Sequence, residues 1–399
     1  MKVRVPNYFN DFKCIASECE DTCCAGWGIV IDDETKGYYD KVEGEFGETL
    51  RSKIVKDDDG DNVFLLNNGN CSFLNENKMC DIYINLGEEH LCHTCKQFPR
   101  YTEEFLDLRE IGISLSCPEA ARIILRKPEN NTFQLSEEES CEDNREENDF
   151  NEDENYFDEG IGEDVLSDFL ECRDVVFNII ERHDLELGVK AALALKFVKE
   201  VQNKIDLGDM DEIQDLIAEY KEENFLNDLI KDLESYKGKE SAKYNNLYEY
   251  FNVYKNIKHI NSNDPLGLDN ALKYFEGNKE FYFEKHKEFN EYYKENLYKF
   301  KNILVYFIFR YFMKAIFDYD MSAKIKLAII STLMIKELAV VRFIENNNNF
   351  TEEDMVEVSR IYSKDIEHSD ENIEDLQEIF ETEEIFEVDE ILAMLMNDF

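Results

Sequence analysis

The sequence predicts a mainly α protein, with a cysteine-rich, loop-and-helix metal-binding domain at the N-terminus and an all-helical C-terminal domain. Three observations predict it. Nine of the eleven cysteines fall within the first 127 residues of a 399-residue chain. From Val165 onward, apolar residues recur at the spacing of one helix face. All five prolines lie at or before Pro265, so none interrupts the long periodic stretches beyond it. The expected boundaries are 1–130 for the cysteine-rich domain, 131–164 for an acidic linker and 165–399 for the helical domain.

The first part has short apolar runs between cysteines, spaced Cys14-x4-Cys19-x3-Cys23-Cys24 and then Cys71-x8-Cys80-x11-Cys92-x2-Cys95-x21-Cys117. The linker follows. Glu137 to Asp164 carries fifteen carboxylates against the single Arg145, a density that repels itself and buries little apolar surface. It reads as mobile. Helical periodicity then runs through Val165-Leu166, Phe169-Leu170, Val176-Phe177 and Ile180, through Leu193, Phe197 and Val201, and through Ile213 to Tyr220 and Leu226 to Leu233. Lys237-Gly238 supplies a stop. Further helices are expected over about 242–260, 268–276, 280–318, 322–346, 351–366 and 372–397, with turn chemistry at Asn263-Asp264-Pro265 and Asn346 to Asn349.

Bulk charge excludes some partners. The formal net charge is -46, which repels phosphate backbones and anionic lipid headgroups and attracts a basic partner. Neither nucleic acid nor a membrane surface is expected. A surface rich in solvated carboxylates gives the same total, so charge alone names no substrate. The N-terminus lacks the apolar core of a secretory signal. The longest apolar stretch, Ile303 to Phe317, contains Arg310 and Lys314 and reads as a buried helix, not a membrane span. A cytoplasmic location is therefore expected, and with it reduced thiols.

In that setting a disulfide framework is disfavoured, and the count of eleven is odd. Core cysteines account for an isolated thiol such as Cys172 but not for nine in about a hundred residues. Ligation of a metal by Cys14, Cys19, Cys23, Cys24, Cys71, Cys80, Cys92, Cys95 and Cys117 is what remains. Cys92-x2-Cys95 presents two thiolates from one tight turn. Cys23 and Cys24 are adjacent, and their diverging Cβ atoms argue against both binding one ion. One cluster with spare thiols and two sites both stay open, as do zinc and iron–sulfur. His90 and His93 flank Cys92, as ligands or as hydrogen-bond donors to a thiolate.

Several blocks resemble a known family. Phe12-Lys13-Cys14-Ile15, Cys19 to Trp27 and Ile31-Asp32 resemble the opening of the flagellin lysine-N-methylase family. So do Cys71-Ser72-Phe73-Leu74-Asn75, Cys80-Asp81-Ile82-Tyr83, Leu86-Gly87-Glu88, Leu91 to Cys95, Phe98-Pro99-Arg100 and Ser116 to Ala121. Ser359 to Tyr362, Ile366 to Ser369, Asn372 and Glu295-Asn296-Leu297 resemble its C-terminal part more faintly. The cysteine blocks also resemble, more loosely, a family of zinc- or iron-chelating cysteine clusters. The closer resemblance implies methyl transfer from S-adenosylmethionine to lysine side chains of flagellin, and a [4Fe-4S] cluster held by the N-terminal cysteines. No glycine-rich strand–turn–helix is visible to seat the methyl donor. Nor is there the Cys-x3-Cys-x2-Cys triad of radical cleavage, because Cys19-x3-Cys23 runs directly into Cys24.

Displacement chemistry needs a neutral amine and a seat for a cationic sulfonium. Glu367-His368 is the first catalytic candidate, being one of only six histidines and lying in a family-like segment; a helix-surface or capping histidine is its plainer reading. For cofactor binding the candidates are Trp27, as an adenine platform or as packing over the metal loop, and Arg100, as a partner of a carboxylate or of Asp32. Glu20 and Asp21, beside negative thiolates, are expected to face solvent. The aromatic run Tyr306, Phe307, Phe309, Tyr311 and Phe312 is expected in the helical core. Two competing readings are a zinc-stabilised adaptor that binds proteins and an iron–sulfur redox sensor. Oligomeric state leaves no sequence signal.

Overall fold

A computed structural model describes residues 1–15, 18–25, 27–57, 60–126, 131–137, 162–259, 264 and 266–398. Strand β1 (Lys2–Pro6) opens the chain and buries Val3 while Lys2 faces out. The loop bearing Cys14, Cys19, Cys23 and Cys24 leads to α1 (Asp33–Lys41). Asp32 caps that helix by accepting from the Thr35 backbone N–H at 2.8 Å. Next come α2 (Gly44–Ser52), the antiparallel pair β2 (Ile54–Lys56) and β3 (Asn62–Phe64), and the short pair β4 (Leu66–Asn67) and β5 (Asn70–Cys71). Two short helices, α3 (Asp81–Leu86) and α4 (His93–Gln97), complete a small module. Its own core consists of Ile29, Ile31, Tyr39, Leu50, Phe64, Phe73 and Ile82 together with Cys71 and Cys92.

The chain then returns to β1. The hairpin β6 (Arg100–Phe105) and β7 (Leu108–Ile113) places β7 parallel to β1, and helix α5 (Pro118–Ile124) follows. Strand β8 (Phe133–Glu137) closes the other edge, giving the order β6-β7-β1-β8. The sequence pattern assigns these last residues to the linker; the structure makes them an edge strand. Phe133 is the reason, since its ring stacks on Phe177 at 4.6 Å and Phe309 at 4.7 Å. Residues 138–161, the rest of the expected linker, lie outside the described residues.

The helical part begins with α6 (Glu163–Ile180), α7 (Leu187–Leu207), α8 (Ile213–Tyr220) and α9 (Glu223–Leu233). It continues with α10 (Glu240–Asn256), α11 (Leu268–Phe275), α12 (Lys279–Tyr293), α13 (Tyr298–Tyr311) and α14 (Ala315–Asp318). Last come α15 (Met321–Glu345), α16 (Glu352–Glu367), α17 (Asp370–Thr382) and α18 (Val388–Leu395). Helix α15 is buried around almost its whole circumference and packs against α7, α13, α16 and α17, so it is the centre of the domain. Among the described residues no helix is long and apolar enough to cross a membrane.

Two expected helices are broken. The stretch 280–318 divides at 3₁₀ turns over Lys294–Asn296 and Phe312–Lys314 and stops at Tyr319, whose φ of 58° is left-handed. The stretch 372–397 breaks at Glu384–Phe386, where Phe386 turns inward onto Tyr250 and Phe380. Neither break contains proline or glycine; at the second, the packing of Phe386 sets it.

The sheet is not separate from the helices. Tyr8, Phe12, Phe105, Ile113, Leu115, Cys117 and the inner face of α5 share one continuous core with α6, α13, α15 and α16. Glu110 of β7, fully buried, accepts both guanidinium arms of Arg173 on α6, with Arg4 of β1 at 3.5 Å. The N-terminal region thus contains two packing units: a sheet fused to the helices, and the small module carrying most of the cysteines.

Candidate functional site

The cysteines occupy two surroundings. Cys71 and Cys92 are buried in the small module's core, and Cys24, Cys80 and Cys95 pack against it. Cys117 instead starts α5 in the large core, while Cys14 and Cys23 are exposed and Cys19 is half-buried. All the described cysteines are reduced. Burial pushes the Cys71 thiol up to about 12 and that of Cys117 up to about 11, with neighbouring thiols adding to both shifts. The Cys23 thiol, hydrogen-bonded to Cys24, brings the Cys24 sulfur down to about 7; Cys92 is likewise lowered by its bond with Cys95. Cys71 and Cys117, so raised, carry thiolate charge only against a cation. The chemistry of the donor set fits a soft metal centre. Among the described residues no three cysteine sulfurs lie within 4.8 Å of one another. A tetrahedral zinc site with bonds of about 2.3 Å needs sulfurs about 3.8 Å apart.

The cysteine loop is docked on the helices by charge. Glu20 pairs with Arg122 of α5, which also holds Glu353 at 2.7 Å, and Asp21 meets Arg360 at 2.5 Å and Lys364 at 3.2 Å on α16. Glu20 is exposed, as expected, yet pairs with Arg122; Asp21, expected in solvent, is instead a half-buried anchor, because Arg360 and Lys364 of α16 offset the nearby sulfurs. Burial alone would raise the Asp21 carboxyl, but Lys364 and Arg360 overcome it and hold it below the usual range.

At this seam the structure gathers residues that are far apart in sequence. The Trp27 indole N–H donates to the Cys23 carbonyl at 2.9 Å. Its ring lies 5.8 Å from Phe98 and 5.0 Å from His368, and Phe98 meets His368 edge-on at 6.0 Å. His368, just past the end of α16, is 2.9 Å through Nε2 from the Ser116 hydroxyl, one residue before Cys117. Its buried Nδ1 has no hydrogen-bond partner. Burial, helped by Arg310 and Lys364, brings its pKa down to about 3, so the ring is neutral. Ser116 is braced in turn by Ser114, hydroxyl to hydroxyl at 2.8 Å.

Glu367 faces the other way. Its carboxylate accepts from Tyr306 at 2.9 Å, Tyr311 at 3.0 Å and Ser363, and pairs with Arg310 at 3.0 Å. Tyr306 also accepts from the Leu115 backbone N–H at 3.2 Å, tying this network to the segment carrying Ser116. Arg310 stacks at 4.4 Å over Tyr101, whose ring crosses Gly112 so closely that a Cβ there would stand 2.3 Å from it. Glu367 is thus saturated with donors and anchors the seam from behind, while His368 faces it.

Arg100 lies apart from this cluster, exposed over the Phe12 ring at 5.1 Å. Asp32, its suggested partner, accepts from the backbone N–H groups of Thr35 and His93. His90 stacks on Tyr38 at 4.3 Å, and the exposed His93 begins α4. Sequence reasoning missed Phe98, Ser116, Arg310 and Tyr101 as site residues. Phe98 and Ser116 carried a signal, since both sit in the family-like cysteine blocks.

One other group has metal-ligand geometry. The ligand atoms of His286, Glu337 and Asp398 lie within 4.8 Å of one another and all three residues are buried. Asp398 already holds Lys243 at 2.6 Å and Lys336 at 2.9 Å, and Tyr282 donates to Glu337 at 3.0 Å. A cation there would face two ammonium groups, so this is a closed internal ion network.

Residues 173–395, more than half of the chain, match the family model described as the FliB lysine N-methylase C-terminal domain. The flagellar biosynthetic protein FliU of Salmonella muenchen is 32% identical over 141 residues, covering 32% of this chain and 79% of the relative. The lysine-N-methylases of Salmonella choleraesuis and Salmonella typhimurium are each 32% identical over 141 residues, covering 32% of this chain but only 33% of each relative. The aligned part therefore spans about a third of the length of those two methylases. No solved structure matches the chain.

Proposed function

This chain belongs to the FliB lysine N-methylase family, and on that premise we propose that it methylates lysine side chains of a protein, with S-adenosylmethionine as donor, flagellin as substrate and a [4Fe-4S] cluster on its N-terminal cysteines. The observation that carries this reading is the seam itself. It brings the cysteine loop, Trp27, Phe98, Ser116 and His368 together at the end of α16, inside the segment matched by the family.

In the reaction, the lysine nitrogen uses its lone pair to form a bond to the donor's methyl carbon. The carbon–sulfur bond breaks, its electrons stay on sulfur, and neutral S-adenosylhomocysteine leaves. The amine must arrive neutral, and the product loses one proton to solvent. A base with a pKa near 3 does not store that proton. The part of His368 is positional: with Nε2–H donating to Ser116, its Nδ1 lone pair accepts a hydrogen bond from the amine and aims it. The half-buried Trp27 offers a π face to the sulfonium or to the lysine. Glu367, Arg310 and Tyr306 are positioning residues that hold the Leu115–Ser116 segment. Bound, a cluster supplies a redox-active centre and cross-links the loops bearing its ligands. The -46 surface steers a lysine-bearing partner toward the protein, an attraction that salt weakens.

Incubating the anaerobically purified protein with flagellin and S-adenosylmethionine tests the proposal. Flagellin is expected to gain mass in methyl increments that map to lysines. Unchanged flagellin, with an intact cluster and active donor, would overturn it.

A further inference from the structure

We propose that the cavity between α11, α15 and α16 binds a free aliphatic α-amino acid as a zwitterion, with its carboxylate on Arg342, its ammonium on Glu345 and its side chain on an apolar floor. The inference goes beyond methyl transfer and does not rest on it.

The cavity has a volume of about 160 Å³ and lies within the family-matched segment. Leu338 and Val341 of α15 and Val358 of α16, all buried, form its floor. Asp264, Asn270, Arg342 and Glu345 supply its polar rim. Pockets for drug-sized ligands measure about 300–1,000 Å³; this one is smaller and takes a molecule with one short side chain.

Arg342 is the unfinished part of the rim. Among the described residues its guanidinium makes no hydrogen bond. Its nearest acids are Asp354 Oδ1 at 3.6 Å and Glu345 Oε2 at 4.0 Å, both too far for one. Asp354 is engaged elsewhere: one oxygen accepts from Asn346 at 3.0 Å, and the other from the Thr351 N–H and hydroxyl at 2.8 Å and 2.7 Å in the cap of α16. Glu345 is held through Oε1 by Asn270 at 3.2 Å, which leaves Oε2 open. A guanidinium fork and a carboxylate oxygen thus line the same cavity from one helix without satisfying each other.

Charge selects the ligand. A bare cation would be repelled by Arg342, and a bare anion would meet Asp264, Glu345 and the field of a chain at -46. A zwitterion answers both. Its carboxylate matches the planar guanidinium fork in bidentate fashion, its ammonium donates to Glu345 Oε2, and an aliphatic side chain takes the floor out of water. Asp264 shapes the wall: its two oxygens cap α11 by accepting from the Leu268 and Asp269 N–H groups at 2.6 Å and 3.0 Å. Binding is reversible and involves no covalent step.

Isothermal titration calorimetry of the anaerobically purified full chain tests the assignment with three ligands of one shape. These are L-leucine, L-leucinamide, which lacks the carboxylate, and 4-methylpentanoate, which lacks the ammonium. Leucine is expected to bind once per chain, and each analogue at least about tenfold more weakly. Arg342→Gln should weaken leucine by about the same factor and abolish its advantage over leucinamide; Glu345→Gln should abolish its advantage over 4-methylpentanoate. Both side chains are partly exposed, and circular dichroism checks that the variants fold. Leucine binding weaker than about 1 mM, equal binding of leucinamide, or undiminished discrimination in folded Arg342→Gln overturns the assignment. Displacement of leucine by S-adenosylmethionine also overturns it, by giving the cavity to the methyl donor. Should a variant misfold, the ligand series on wild type still decides. Leucine binding by a chain that leaves flagellin unmethylated upholds this inference while refuting the methylation reading, which keeps the two failures apart.

Discussion

Replacing either member of the pair Glu367-His368 should give opposite phenotypes, although the two residues are neighbours. Glu367→Ala removes the carboxylate paired with Arg310 and deletes the acceptor of Tyr306, Tyr311 and Ser363. Breaking a buried pair by removing one partner costs about 3–5 kcal/mol, a large share of a total stability of about 5–15 kcal/mol. His368→Ala loses a hydrogen bond to Ser116, worth about 1 kcal/mol, and ring contact with Trp27, worth about 0.5–1.5 kcal/mol. It leaves no charge stranded, because the imidazole is neutral. Its cost should therefore be about 2 kcal/mol, with methyl transfer falling at least tenfold while the fold persists. Glu367→Gln, which keeps one carbonyl acceptor, should lie between wild type and alanine. Urea unfolding of anaerobically purified variants, followed by far-UV circular dichroism, reads these differences. A Glu367→Ala loss below about 1 kcal/mol, within reach of an ordinary surface change, would refute the anchoring role of this network.

Other consequences follow from the same contacts. Burial alone would raise the Asp398 carboxyl, but Lys243, Lys336 and His286 hold it well below the usual range. Its folded pKa is thus below the unfolded one of about 3.9, so its stabilisation is full above that pH and declines as pH falls toward the folded value. Asp398→Asn should cost about 3–5 kcal/mol at neutral pH, by stranding two ammonium groups, and flatten that acid decline; equal acid slopes in the two proteins would contradict it. Arg173→Ala should likewise cost about 3–5 kcal/mol by leaving Glu110 buried with only Arg4 nearby, as read by urea unfolding. Trp27 is the sole tryptophan and bonds to Cys23, so an absorbing metal centre on the loop should quench its emission and anaerobic chelation should restore it. Emission indifferent to metal would place the centre elsewhere.

The helical half was legible because its apolar faces repeat within single helices. Helix α15 is so apolar that burial follows from composition; its buried charges Lys324, Lys326, Lys336 and Glu337 are the exceptions, and Lys336 is explained only by the distant Asp398. The sheet was not legible. Val3 alternates with Lys2 as a strand should, yet its partners Arg109 and Ser136 lie more than a hundred residues along the chain. Phe133 was lost in the carboxylate run that follows it. Chain breaks at Lys294–Asn296 and Glu384–Phe386 contain neither proline nor glycine, and at the second Phe386 turns onto the rings of Tyr250 and Phe380 from other helices. The site was half legible. Trp27 and His368 were singled out separately, and the structure places their rings 5.0 Å apart. Their meeting depends on Asp21 with Arg360 and on Glu20 with Arg122, pairs that only the folded chain brings together.

The central claim is a polar transfer of an intact methyl group from S-adenosylmethionine to protein lysine by this chain. Mass spectrometry of flagellin lysines, after reaction with a donor fully deuterated in its methyl group, tests it most directly. Displacement at the seam predicts modified lysines that retain all of the methyl deuterium, in amounts that fall with His368→Ala. Methyl groups that have exchanged deuterium for hydrogen would contradict the displacement, and unmodified lysines in the presence of folded, metal-loaded protein would contradict the activity itself.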